Sequence, residues 1–225
     1  MAYGEKILFA WSGGKDSAMA LHELRTRGDV EICAFMTTVT EGYERISMHG
    51  VRKSLLEKQA ESIGLPLEII YITQSATNEE YESKMKDMLL RYKELGVLTV
   101  AFGDLFLEDL KKYREDSLRK VGMVGMFPIW KRDTTELAGE FIDAGFKAII
   151  TCVDTEHLAA SFAGRDFDRA LLAELPQKVD PCGENGEFHS FVHAGPIFRR
   201  PIAVEKGEVV LRDNRFSYCD LISSE

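Results

Sequence analysis

The chain is short of what several functional classes depend on. Its 225 residues include only four cysteines, six prolines and two tryptophans. The cysteines (Cys33, Cys152, Cys182, Cys219) stand far apart, so there is no C-x-x-C pair for a zinc site or a dithiol redox centre. Cys33 and Cys152 fall inside apolar runs and read as small core side chains. Basic residues are outnumbered, 28 Lys and Arg against 37 Asp and Glu, for a formal net charge of −9. A surface that grips a phosphate backbone needs the opposite balance, so general nucleic-acid binding is not expected. No apolar run reaches the length of a membrane span, and no low-complexity linker divides the chain. The opening MAYGEK runs into a strand within six residues and has no signal-peptide pattern. The expectation is a soluble, cytoplasmic protein with no membrane partner.

What is present points to a well-packed α/β protein. Hydrophobic residues make up 45% and charged ones 29%, a globular balance. The length suits one large domain, or one domain with a small annex. Apolar runs at Ile7, Glu31 to Val39, Leu67 to Ile72, Val97 to Phe102 and Met123 to Phe127 read as strands. Between them lie segments with apolar residues at helical spacing, such as Val51, Leu55, Leu56, Ala60 and Ile63, closed by Gly64. Strands alternating with helices predict a Rossmann-like parallel sheet covered on both faces. Ligands of such sheets sit at the carboxyl ends of the strands. Ser12, Thr37-Thr38, Gly103-Asp104 and Pro128-Ile129-Trp130 are therefore predicted to converge.

Beyond Trp130 the pattern changes. Leu137, Ala138, Phe141 and Ile142 stripe a helix, Lys147 to Val153 is a strand, and Asp168 to Leu175 a short helix. Short β-like runs follow, with a hairpin predicted at Lys206-Gly207. The predicted division is a nucleotide-binding domain over 1–130 and a smaller C-terminal α/β domain over 131–225.

The stretch that carries chemistry is ILFAW followed by Ser12-Gly13-Gly14-Lys15-Asp16-Ser17. A buried strand runs into two glycines, then a helix starts. Glycines let the backbone approach an anion, and the helix N-terminus adds partial positive charge. Ser12 and Ser17 offer hydroxyl donors, and Lys15 a full charge. This is not a Walker A loop, because Phe9 and Asp16 occupy the places of its first glycine and its Ser/Thr. A plain turn has no use for these polar groups around a double glycine.

A second cluster follows at Cys182-Gly183-Glu184-Asn185-Gly186-Glu187-Phe188-His189-Ser190-Phe191. By composition it is equally a polar turn before an edge strand and a functional loop.

SGGKDS after a strand resembles the PP-loop of the N-type ATP pyrophosphatases, which cleave ATP between its α- and β-phosphates. Together with Gly164-Arg165, Asp168 and the pattern G-E-x-G-E-F-x-[ST]-F from Gly183 to Phe191, nearly the whole chain resembles the diphthine–ammonia ligase family. That resemblance implies an ATP domain and a substrate domain. It implies a reaction in which a carboxylate, ammonia and ATP give an amide, AMP and pyrophosphate. The implied partners are ATP, ammonia or ammonium, and a carboxylate acceptor such as a diphthine-bearing elongation factor; a homodimer is also carried as an expectation. Family members often have a loop like E-E-x-x-S-Y-M-Y-H after the second strand. Here Glu44-Arg45-Ile46-Ser47-Met48-His49-Gly50 keeps Ser, Met and His but neither tyrosine.

The implied roles are these. Ser12, Gly13, Gly14, Lys15, Asp16, Ser17, Thr37, Gly103 and Asp104 bind ATP, with Lys15 neutralising phosphate charge. Asp16 and Asp104 are the candidate Mg²⁺ carboxylates. Glu184 and Glu187 bind ammonium or take its proton, so the catalytic set is Lys15, Asp16, Glu184 and Glu187. Ser47, His49, Arg165, Gly183, Gly186 and His189 join the glutamates in contacting substrate. The loop alone leaves an alternative: a PP-loop ATP-binding protein of another class, a tRNA-modifying enzyme or a non-catalytic nucleotide-binding module.

Overall fold

The computed structural model describes residues 4–42, 45–46, 50–73 and 77–224. Its larger sheet is built from β1 (Glu5–Ala10), β2 (Val30–Thr40), β4 (Leu67–Ile72), β5 (Thr99–Ala101) and β6 (Val124–Met126). These five run parallel in the order β4-β2-β1-β5-β6. The two-residue β3 (Arg45–Ile46) pairs antiparallel with the end of β2, at Val39 and Thr40. Because β4 holds the other side of those same residues, β3 takes the edge that β1 vacates.

Alternation along the strands decides which helices cover which face. Ile7 and Phe9 of β1 and Phe35 of β2 enter one core, while Leu8, Ala34 and Met36 enter another. The first core packs against α1 (Lys15–Arg27) and α2 (Lys53–Ile63), the second against α3 (Asn78–Glu94) and α4 (Glu108–Lys120). In α2 the buried Leu55, Leu56, Ala60 and Ile63 repeat at helical spacing. Each such leucine contributes roughly 1.5–3 kcal/mol relative to exposure. Gly28 and Gly64 close α1 and α2 in the left-handed conformation, at φ 66° and 82°.

The remaining chain forms α5 (Thr134–Asp143), β7 (Lys147–Asp154), a 3₁₀ turn, α6 (Arg169–Glu174), β8 (Phe188–Ala194), β9 (Val204–Arg212) and β10 (Phe216–Ser223). Its sheet is antiparallel in the order β8-β7-β10-β9. The hairpin expected at Lys206-Gly207 is not there; both residues lie inside β9. The chain reverses instead at Asp213 and Asn214, both left-handed at φ 52° and 49°, where Arg215 N donates to Arg212 O at 3.0 Å. Asp-Asn tolerates two successive positive φ angles, whereas Lys does not.

The first core does not stop at the larger sheet. It continues from Phe9, Trp11 and Leu56 through Phe146, just ahead of β7, to Ile149, Phe188 and Phe191 of the second. Strand β8 lies against the phosphate loop, with Val192 N donating to Gly13 O at 2.9 Å.

Candidate active site

A cleft of about 1040 Å³ opens at the carboxyl ends of the parallel strands. It is lined by Ser12, Gly14, Lys15, Asp16 and Ser17, by Thr37 and Thr38, by Gly103 and Asp104, and by Gly183, Glu184, Gly186, His189 and Ser190. Tyr81 of α3 and Arg114 of α4 close one side. A volume at the upper end of small-molecule sites accommodates a nucleotide together with a second ligand.

The turn from β1 into α1 is shaped for close approach. Gly13 has φ 78°, and a side chain there would collide with Gln59 Oε1. Gly14 is the N-cap of α1 and has no side chain of its own to cap the helix. Its N–H reaches Ser12 Oγ at 3.3 Å, while Ser17 Oγ donates to Gly14 O at 2.9 Å and lies 3.1 Å from Ser12 Oγ. Gly103 serves a different purpose. A Cβ on it would sit 2.8 Å from Ser17 N, so glycine lets the end of β5 pass beneath the first turn of α1. That passage brings Asp104 beside Asp16.

The charges are buried. Lys15 is 4% exposed, and its Nζ lies 2.9 Å from Asp16 Oδ2 and over the Phe188 ring. Burial alone would lower its pKa, but the Asp16 and Glu184 carboxylates outweigh burial and the ammonium is held charged. Asp16 is raised by burial, against the pull of Lys15. Asp104 is likewise raised by burial, against Arg114. Glu184 is pushed up to about 8 by burial and by the Asp16 charge beside it. His189 is pushed down to about 4 by burial and by Lys15, so its imidazole is neutral at neutral pH. Burial also pushes the Cys182 thiol up; its Sγ donates to Thr134 O at 3.4 Å, a protonated donor rather than a nucleophile.

The donor set fits Mg²⁺. Asp16 Oδ1 is buried without a hydrogen-bond partner. Arg114 NH2 reaches Asp104 Oδ1 at 3.1 Å, and its Nε stands 2.7 Å from Oδ2 without hydrogen-bond alignment. Two carboxylates with unmatched oxygens, both destabilised as anions by burial, are what a hard cation with phosphate ligands uses. Asp154, Glu156 and His157 also bring ligand atoms within 4.8 Å of one another, but Arg215 already grips both Asp154 oxygens.

Not every expected residue faces the cleft. Glu187 is 2% exposed, and its carboxylate accepts from Asp180 N, Asn185 N and Asn185 Nδ2 at 3.0, 2.9 and 3.0 Å. These bonds hold its pKa low against burial. It braces the loop that presents Glu184 and does not itself line the cleft. Gly13 stands behind the loop, against Gln59. Arg165 pairs with Glu174 through both terminal guanidinium nitrogens, at 2.6 and 3.0 Å, stacks over Phe162 and is absent from the cleft wall. Pro128, Ile129 and Trp130 do not reach the cleft either. Ser47 and His49 lie outside the described residues.

Several contributors were not anticipated. Asp180 Oδ1 accepts from Cys182 N and Glu184 N at 2.8 and 3.3 Å and so sets the loop's turn. Gln59, fully buried, donates to Gly13 O (3.0 Å) and Val192 O (2.6 Å) and accepts from Trp11 Nε1 (2.8 Å). Its place on the inner stripe of α2 was the available sign, since a buried amide must have partners.

A glycine-rich turn into a helix with a glycine N-cap at the carboxyl edge of a parallel sheet, with lysine and carboxylates around it, defines a nucleotide-phosphate-binding α/β protein. Comparison with known families makes this specific. Residues 5–125 match the diphthamide synthase N-terminal domain and residues 133–222 the diphthamide synthase C-terminal domain. The chain belongs to the diphthamide synthase family. It is similar to the diphthine–ammonia ligases of Danio rerio and Homo sapiens, 26% identical in both cases. Those alignments cover 90% and 89% of this chain, and 88% and 83% of the relatives. The Schizosaccharomyces pombe ligase is 24% identical over 91% of the chain, which spans 37% of that longer protein. Among solved structures, the U34-tRNA thiolase NcsA of Methanococcus maripaludis, with its [4Fe-4S] cluster, aligns at a TM-score of 0.39 and 16% identity. That alignment covers 63% of this chain and 58% of the thiolase. No helix among the described residues is long and apolar enough to cross a membrane.

Proposed function

We propose that the protein is an ATP-dependent, AMP-forming amide ligase of the diphthine–ammonia ligase type. The observation that carries this reading is the meeting of two loops in one cleft: the phosphate loop with Lys15 and Asp16, and the Gly183–Gly186 turn that holds Glu184.

The chain's own residues divide the work. The open N-terminus of α1, Ser12 and Ser17 receive the β- and γ-phosphates, and Lys15 neutralises them. This leaves the α-phosphorus facing the cleft. The acceptor carboxylate oxygen attacks it, the bond to the pyrophosphate oxygen breaks, and an acyl adenylate forms. Ammonia then attacks the acyl carbon, AMP departs with the electron pair of the broken bond, and Glu184 in its ionised form receives the proton the nitrogen sheds. A bound Mg²⁺, held by Asp16 and Asp104, supplies charge neutralisation for the phosphates. Glu187 and Asp180 keep Glu184 in place. The neutral His189 offers the acceptor a hydrogen-bonding group without adding charge.

We assign ATP, ammonia and a carboxylate acceptor as the reactants, with a diphthine-bearing elongation factor as the acceptor the family name suggests. The nucleotide products decide the reaction class. After incubation with ATP, Mg²⁺, ammonium and acceptor, chromatography is expected to show AMP and pyrophosphate. ADP and inorganic phosphate as primary products would reject the reading, since γ-transfer places the reacting phosphorus elsewhere.

A further inference from the structure

Helix α1 begins at Lys15, and the Lys15 N–H is one of its free donors, the kind a phosphate loop ordinarily turns to its anion. Here that donor is spoken for. It points at Ser190 Oγ, 3.2 Å away on strand β8 of the second sheet. Ser190 is 2% exposed yet forms part of the cleft wall. Its oxygen accepts from the helix, but its own proton has no acceptor among the described residues. A hydroxyl that accepts from a helix N-terminus becomes a better donor, because the positive end of the helix polarises its O–H bond.

The placement is tight. A side chain on Gly14 would meet Ser190 O at 3.2 Å, and Gln59 bonds both Gly13 O and Val192 O. Strand and loop therefore share one fixed geometry.

We propose that Ser190 is a phosphate-binding residue: it relays the helix N-terminus to the pyrophosphate moiety of ATP as a hydroxyl donor contributed by the second sheet. This rests on the ATP reading above and gives the Ser/Thr position of the second motif a role at the phosphates, as a donor that the phosphate loop does not supply itself.

The test is titration calorimetry of the full chain with inorganic pyrophosphate and, separately, with adenosine. It is done in a Trp130→Phe background, where Trp11, bonded to Gln59, reports on the loop through its fluorescence. Ser190→Ala is expected to weaken pyrophosphate by about tenfold to a hundredfold, the range for one hydrogen bond to a charged group. Adenosine affinity and Trp11 emission should stay as in the parent, and Ser190→Thr, which keeps the hydroxyl, should restore affinity to within about threefold on the same scale. Parent-like pyrophosphate binding by Ser190→Ala would overturn the proposal alone. So would a loss accompanied by shifted Trp11 emission, which marks a mere brace, or failure of the threonine variant to rescue. A parent protein that binds no pyrophosphate would overturn this proposal and the ATP reading together.

Discussion

Glu184 and Glu187 stand three positions apart in one turn and do different work. Glu184 faces the cleft with its carboxyl raised to about 8, whereas Glu187 spends its oxygens on three loop N–H groups. Glu184→Gln should leave the denaturation midpoint nearly unchanged and cut amide formation at least a hundredfold at saturating ATP. Glu187→Ala should instead destabilise the fold by about 1–3 kcal/mol, since three loop N–H groups lose their common charged acceptor. Urea titration beside an amidation assay checks both, and equal stability losses in the two variants would contradict the division. Lys15→Ala and Asp16→Ala should each lower turnover about a hundredfold, the scale of losing one electrostatic group at the phosphates. Residual ATP cleavage, measured as AMP released, reads this directly. The acidic and basic groups of the phosphate loop were legible because the motif is local. The roles of Ser190 and Gln59 were not, because a residue's partner 175 or 133 positions away leaves no mark on its neighbours.

At the level of elements, the strands and helices were readable wherever periodicity was long, as in α2 and β4. The turn after β9 was misplaced because a glycine was weighted above the left-handed tolerance of Asp213-Asn214. What ties elements together was hidden altogether. Asp220 of β10 accepts from Arg45 NH1 at 2.9 Å and from Arg52 Nε and NH2 at 3.1 and 2.5 Å, so both arginines are fastened to the second sheet. Burial works against the Asp220 charge, but the two arginines hold its pKa at about 2. A carboxylate depressed on folding stabilises above its unfolded pKa near 4, and that contribution disappears as pH falls toward 2. Asp220→Asn should therefore cost about 1–2 kcal/mol at pH 7, allowing for partial solvent screening. The deficit should shrink steadily below pH 4, to a few tenths of a kcal/mol at pH 2 where the folded carboxylate is half protonated. Urea midpoints across pH 2–7 test it, and a deficit undiminished at pH 2 would mean the loss is packing rather than charge.

For the molecule as a whole, the division at residue 130 is proposed as one of labour, nucleotide before it and acceptor after it, within one folding unit. Trp11, Leu56, Phe146 and Phe191 share a core, and the Gln59 amide is satisfied only when loop and β8 are both in place. Unfolding should accordingly be a single transition in which tryptophan fluorescence and far-ultraviolet circular dichroism coincide. A fragment ending at residue 130 should show no cooperative transition. Two separated transitions in the full chain would make the halves independent.

The bond from Lys15 to Ser190 also sets an order of events during synthesis. Ribosomes deliver the phosphate loop early and β8 some 175 residues later. Until that strand has emerged, the Lys15 N–H lacks Ser190 and Gly13 O has Gln59 but not Val192 N, so the loop's geometry is only partly fixed. A nascent chain carrying the complete SGGKDS motif is thus expected to hold nucleotide only once β8 has emerged, and a chain truncated before β8 should show no ATP binding by calorimetry.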